Sequence, residues 1–235
     1  MTADSVDNSG LLTPSLMPAT SVSRRDAVIS EIKRGIVLGT LKPGDKLTET
    51  SLSAALGVSR PTVREALNLV AQEGLLIQEP YRGLRVADLD TATVLDMAAV
   101  RVALDMQAIE GILADDTGRR MQALMAAWRT YERTAFSDDD LLVHESHLAF
   151  HRGIWAAAEN SFLMRLWPVT EAHITIALAH DQATRHDPQR AYNVHRMLID
   201  AIGTRDLDRI HDALVIHTVH SARELVAIMS GESVP

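Results

Sequence analysis

His144, His147 and His151 fall at spacings of three and four, so a helix through them carries all three along one side together with Ile154 and Trp155. His195 shares an apolar stripe with Leu198, Ile199 and Ile202, and His217 shares one with Ile210, Leu214 and Leu225. Imidazoles on three inward faces would each need a buried polar partner, and one common centre serves them together. Neutral imidazole suits a divalent metal, zinc first, with nickel or manganese as alternatives. Three protein ligands leave positions open for water or an organic acid. The chain has no cysteine, which excludes disulfides, thiolate zinc sites, iron–sulfur clusters and thiol catalysis. All ten histidines lie between His144 and His220, so this chemistry belongs to the C-terminal part.

A second constellation lies upstream. Ser59 is placed to cap a helix, and Arg60 and Arg64, four apart, share one face of it. A helix N-terminus attracts phosphate, and arginine there reaches phosphate or the O6/N7 edge of guanine, with hydroxyls from Ser59 and Thr62 beside it. Arg82 and Gly83 would form the tip of a hairpin, charged at one residue and small at the next. This is chemistry for double-stranded DNA.

The elements that must position these residues follow from periodicity and breakers. Val28, Ile29, Ile32, Ile36 and Val37 mark a helix from Arg24 that stops at Gly39, and Leu41 to Asp45 reads as a turn. Thr48 caps a short helix through Leu52, Ala55 and Leu56, closed by Gly57. Ser59 caps the next, with Pro61 just inside and the stripe Val63, Ala66, Leu67 and Val70 running to Gly74. Leu75 to Glu79 and Leu84 to Ala87 predict a two-stranded hairpin. Two short helices joined by a tight glycine-containing turn, then a hairpin, are the proportions of a winged helix-turn-helix. From Thr91 onward only helical stripes occur, around 94–113, 121–136, 141–158, 162–179, 191–202 and 207–229. The fold class expected is therefore mostly α: an N-terminal winged helix-turn-helix and a C-terminal antiparallel bundle of about six helices. The division expected is a disordered tail over 1–20, a DNA-binding domain over 21–88 and an all-helical effector-binding and dimerisation domain over 89–235.

Charge is divided in the same way. The 235 residues carry a formal charge of −8, yet 21–87 hold ten basic against seven acidic residues and 88–235 hold 13 against 22. A basic module on a larger acidic one separates contact with an anionic polymer from a second task. Apolar runs stay well short of the roughly 18 residues of a membrane span, and no basic leader is present, so a cytoplasmic protein without membrane contact is expected. Two other classes compete. A metal-dependent hydrolase would also use three histidines, but His147 to His151 lacks the glutamate of H-E-x-x-H, and G-x-S-x-G and P-loop motifs are absent. A DNA-binding dimer without an effector would use the bundle only for dimerisation.

The run Gly39 to Leu47, then Gly57-Val58-Ser59-Arg60-Pro61-Thr62-Val63-Arg64-Glu65-Ala66-Leu67, then Glu73-Gly74-Leu75 and Arg82-Gly83, resembles the winged helix of GntR-family regulators over about residues 24–87. The resemblance implies a homodimeric repressor or activator on an inverted-repeat operator, with Ser59, Arg60, Thr62, Arg64 and Gly83 at DNA-contacting positions. Pro61 stands where many relatives carry a hydroxyl residue. Over residues 92–230, Arg101 with Leu104-Asp105, Phe150-His151, Asn160, His195 and His217 are similar to the all-helical effector (FCD) domain of the FadR-like branch. That likeness implies a divalent metal on His151, His195 and His217, completed in many members by an aspartate where this chain has His147. It also implies a small carboxylate effector facing Arg101, whose alternative is an ion pair with Asp105 one turn on.

Overall fold

In the computed structural model, residues 23–79, 83–88, 90–184 and 187–230 are described, apart from the side chains of 182–184. The expected tail over 1–20, the turn at 80–82 and Arg82 lie outside them. The N-terminal part folds as α1 (Arg24–Val37), β1 (Lys46–Leu47), α2 (Glu49–Leu56), α3 (Arg60–Gln72), β2 (Leu76–Glu79) and β3 (Gly83–Val86). Each helix starts at a side-chain cap: Ser23 accepts from the Asp26 amide, Thr48 from Ser51 and Ser59 from Thr62. Gly57 ends α2 with φ of 66°, a left-handed conformation that lets α3 follow after two residues.

The wing differs from the expected two-stranded hairpin. Its sheet has three antiparallel strands in the order β1-β3-β2, with Lys46 opposite Arg85 and Glu79 opposite Gly83. Lys46–Leu47 is too short to display alternation, and only pairing with β3 makes it a strand.

The C-terminal part is helical throughout its described residues: α4 (Thr91–Leu113), α5 (Arg119–Thr134), α6 (Asp140–Ala157), α7 (Ser161–Thr184), α8 (Pro188–Thr204), α9 (Leu207–Val215) and α10 (Ser221–Met229). A π-helical turn, Ile216–His220, joins α9 to α10, so the last expected stripe is one helix with an altered turn inside it. Asp90, Asp139, Asp187 and Asp206 cap four of these helices, and Asn160 accepts from Phe162 and Leu163 amides at the start of α7. Trp128, Tyr131, Phe150, Ile154 and Trp155 are buried at the centre of the bundle. A second core gathers Val28, Ile32, Val63, Leu67 and Val70 of the winged helix, and it takes in Val94 of α4 and Ala172 and Ile176 of α7. The two parts therefore share one packed boundary.

Candidate functional site

The N-terminus of α3 stands at the surface with Arg60 and Arg64 on one side. Glu49 of α2 faces both: Arg64 donates through Nε and a terminal nitrogen to the two Glu49 oxygens at 2.6 and 2.8 Å, and Arg60 lies 3.7 Å away. Hydrogen bonding from Arg64 holds the Glu49 carboxyl below its usual range. Ser59 and Thr62 hydroxyls are 2.8 Å apart, so part of their hydrogen-bonding capacity is spent on the helix cap. Gly83 has φ of 85°, and Lys46 of β1 lies 3.7 Å from where a Cβ would stand, bringing a lysine to the base of the wing. Glu49 and Lys46 were not singled out by sequence because their roles depend on contacts between elements.

In the bundle, the Nε2 atoms of His147, His151 and His195 form a triangle with all three sides 3.1 Å. Helix α6 supplies the first two from adjacent turns and α8 supplies the third. Separations of this size are those of three nitrogens each about 2.0–2.1 Å from one ion, so the donor set fits a divalent metal. His195 Nδ1 donates to the Ala191 carbonyl, which leaves its Nε2 lone pair toward the triangle. His217, in the π turn, stacks on His151 at 4.9 Å between ring centroids and meets His195 at 4.5 Å. Both of its nitrogens are buried without a hydrogen-bond partner, so it adjoins the triangle but is not one of its corners. His144 is buried one turn before His147, also without partners, and does not join the triangle. Burial holds His147, His151 and His217 well below the ordinary histidine value and His195 and His144 at about 4, so all five are neutral near pH 7.

Arg101 is held from two sides. Its Nε lies 3.3 Å from Asp105 Oδ2, and Trp155 Nε1 donates to Asp105 Oδ1 at 2.6 Å. Burial pushes the Asp105 carboxyl up, against the pull of Arg101 and the Trp155 hydrogen bond. A terminal guanidinium nitrogen lies 2.6 Å from His151 Nδ1. Arginine only donates, so His151 accepts there and carries its proton on Nε2. Ligation through His151 Nε2 puts the proton on Nδ1 instead, so ligation and this Arg101 contact exclude one another. Arg101, His147, His195 and His217 together line a cavity of about 140 Å³ between α4, α7, α8 and α10. The ion pair with Asp105 and a place on the cavity wall thus coexist in one residue.

A winged helix-turn-helix packed against a helical domain places a DNA-binding motif and a histidine-lined cavity in one chain. Residues 24–86 match the family described as "Bacterial regulatory proteins, gntR family", and residues 96–220 match the "FCD domain". The chain belongs to the GntR family of transcriptional regulators, in the branch that carries an FCD domain. It is 29% identical over 209 residues to the "Probable D-xylose utilization operon transcriptional repressor" of Paenarthrobacter nicotinovorans, covering 86% of this chain and 90% of that one. It is 27% identical over 220 residues to the gluconate operon transcriptional repressor of Bacillus subtilis, covering 87% and 85%. The solved structure of Escherichia coli McbR/YncC shares the fold, with a TM-score of 0.68 and 18% identity over 90% of this chain and 99% of that one. The protein is therefore a DNA-binding regulator and not an enzyme. No helix among the described residues is long and apolar enough to cross a membrane.

Proposed function

We propose that this chain is a homodimeric repressor that binds an inverted-repeat operator and whose DNA affinity is set by a small organic acid held in a metal-containing cavity. The observation that carries the reading is the meeting of three neutral imidazole nitrogens 3.1 Å apart, two of whose rings, His147 and His195, line the same cavity as Arg101. His147, His151 and His195 would hold the ion, zinc first with nickel or manganese as alternatives, and His217 would complete the set or close it from the side. The bound ion would supply a Lewis acid for a carboxylate. A His151 that ligates through Nε2 no longer accepts from Arg101, and the guanidinium is then available for bidentate pairing with the same carboxylate. Ser59, Arg60, Thr62, Arg64 and Gly83 would meet the DNA, and Arg82, which precedes Gly83 in the sequence, is proposed to join them. Release of Arg64 from Glu49 would accompany the contact. The relatives' names, repressors of sugar and sugar-acid operons, favour repression over activation.

The test takes untagged protein. Metal analysis is expected to find about one divalent ion per chain in wild type and none in His151→Ala or His195→Ala. Enrichment from random duplex DNA is expected to return an inverted repeat with wild type and none with Arg60→Ala. Metal-free protein after reconstitution would overturn the metal site, and DNA binding unchanged in Arg60→Ala would overturn the assigned recognition surface.

A further inference from the structure

The cavity is chemically lopsided. Arg101, His147, His195 and His217 crowd one end. From Arg101 the α4 wall continues through Ala98 and Met97 to Val94, about two turns or ~10 Å away. Ile174, Ala177 and Leu178 of α7 and Ala222 and Leu225 of α10 also line the cavity. Asp181 also lines the cavity, and several of the other polar groups along this length are engaged within the protein. The Thr218 hydroxyl donates to the Leu214 carbonyl, Arg190 pairs with Glu224 and donates to the Ser221 hydroxyl at 3.2 Å, and His173 Nδ1 lies 2.7 Å from the Val169 carbonyl. Among the described residues, the buried side-chain atoms of the lining that make no hydrogen bond are Arg101 Nε, whose charge is paired with Asp105 at 3.3 Å, and the two His217 nitrogens, all at the same end.

Resting on the acid-binding reading above, we infer that the cavity selects a small monocarboxylic acid with an apolar body about the size of one ring, and discriminates against polyhydroxylated sugar acids. A carboxylate at the arginine and histidine end would meet the Arg101 guanidinium and the N–H of the unpartnered His217 ring. Hydroxyls along the body would give up water and meet Met97, Ile174 and Leu178 in exchange, which is the costly arrangement for a polar group. Size agrees, because apolar cavities of about 150 Å³ admit benzene and this one measures about 140 Å³. The apolar end has a consequence for signalling. Val94 is a buried member of the core shared with the winged helix, and Ala177 and Ala222 pack against that core, so the body of the acid would press on residues that hold the DNA-binding part.

Calorimetric titration of zinc-loaded full-length protein with phenylacetate, benzoate, hexanoate, lactate and gluconate tests the inference. Phenylacetate or hexanoate is expected to bind at least tenfold more tightly than gluconate. Met97→Gln and Ala177→Phe are each expected to weaken phenylacetate at least fivefold while leaving lactate within twofold, whereas Arg101→Gln weakens every acid. Gluconate binding as tightly as phenylacetate, or apolar acids indifferent to both wall substitutions, would overturn the selectivity and leave the acid-binding reading intact. Failure of all five acids to bind wild type would overturn that reading and the inference with it.

Discussion

Buried histidines dominate the chemistry at the scale of single residues. His144, His147, His151, His195 and His217 are all kept neutral by burial, while an unfolded chain protonates them near pH 6.5. Below that pH the unfolded state binds protons that the folded state refuses. Their contribution is therefore intact above about pH 6.5 and is lost as the pH falls through it, continuing toward about 4, where His144 and His195 begin to protonate in the fold. Each histidine contributes a slope of up to about 1.4 kcal/mol per pH unit within that window. Chelator-treated protein is accordingly expected to show a urea midpoint that falls steeply between about pH 6.5 and 5, above the ordinary carboxylate range, from which burial pushes Asp105 upward. A flat midpoint there would mean that these rings reach water. The inward direction of His147, His151, His195 and His217 was legible in the sequence because helical period alone decides which face is buried. The bond from Arg101 to His151, 50 residues away, and the seizure of Arg64 by Glu49 were not, since nothing local encodes which surfaces meet.

Elements were legible wherever an apolar stripe was long enough to show its period, and illegible where geometry departs from it. The six stripes of the bundle became α4 to α10, with boundaries marked by aspartate caps and Asn160. The two-residue strand β1 carries no pattern, and the π turn that holds His217 leaves no trace in spacing because the flanking stripes simply continue. Close packing between helices is equally silent in the sequence. Gly153 of α6 faces Ala127 of α5 so closely that a Cβ on Gly153 would stand 2.5 Å from the Ala127 Cβ. Alanine is the better helix former by about 1 kcal/mol, so propensity alone favours Gly153→Ala. The contact argues the opposite, because α5 and α6 must separate to admit the methyl group, and overpacking of this kind costs about 1–3 kcal/mol. Gly153→Ala is thus expected to lower the urea midpoint, and the added change Ala127→Gly to recover part of the loss despite its own poorer propensity. A Gly153→Ala protein more stable than wild type would show that the helices are not held at this distance.

For the whole molecule, the change in charge near residue 88 made two parts legible but concealed how they are joined. Helix α7 is apolar on more than one face, sending Leu163, Trp167 and Ile174 into the bundle and Ala172 and Ile176 into the core of the winged helix. Stripe reading assigns such a helix to the bundle and says nothing of its second partner. The shared core has a thermodynamic consequence that two optical probes can separate. All three tryptophans, Trp128, Trp155 and Trp167, lie in the bundle, so fluorescence reports on that part, whereas far-ultraviolet circular dichroism reports on helices of both. If Ala172, Ile176 and Val94 bind the parts into one cooperative unit, the two probes trace the same urea transition in wild type. Ile176 is 2% exposed, and Ile176→Ala removes about 2–5 kcal/mol of packing from the boundary itself. The expected outcome is a dichroism curve that splits, its first step silent in fluorescence as the winged helix unfolds from an intact bundle. Separate transitions already in wild type would mean that the boundary transmits little. An acid pressing on Val94, Ala177 and Ala222 could then reach the DNA-binding surface only through the arrangement of two chains, because the coupling available to a ligand is limited to the energy by which it distinguishes two states of the joint.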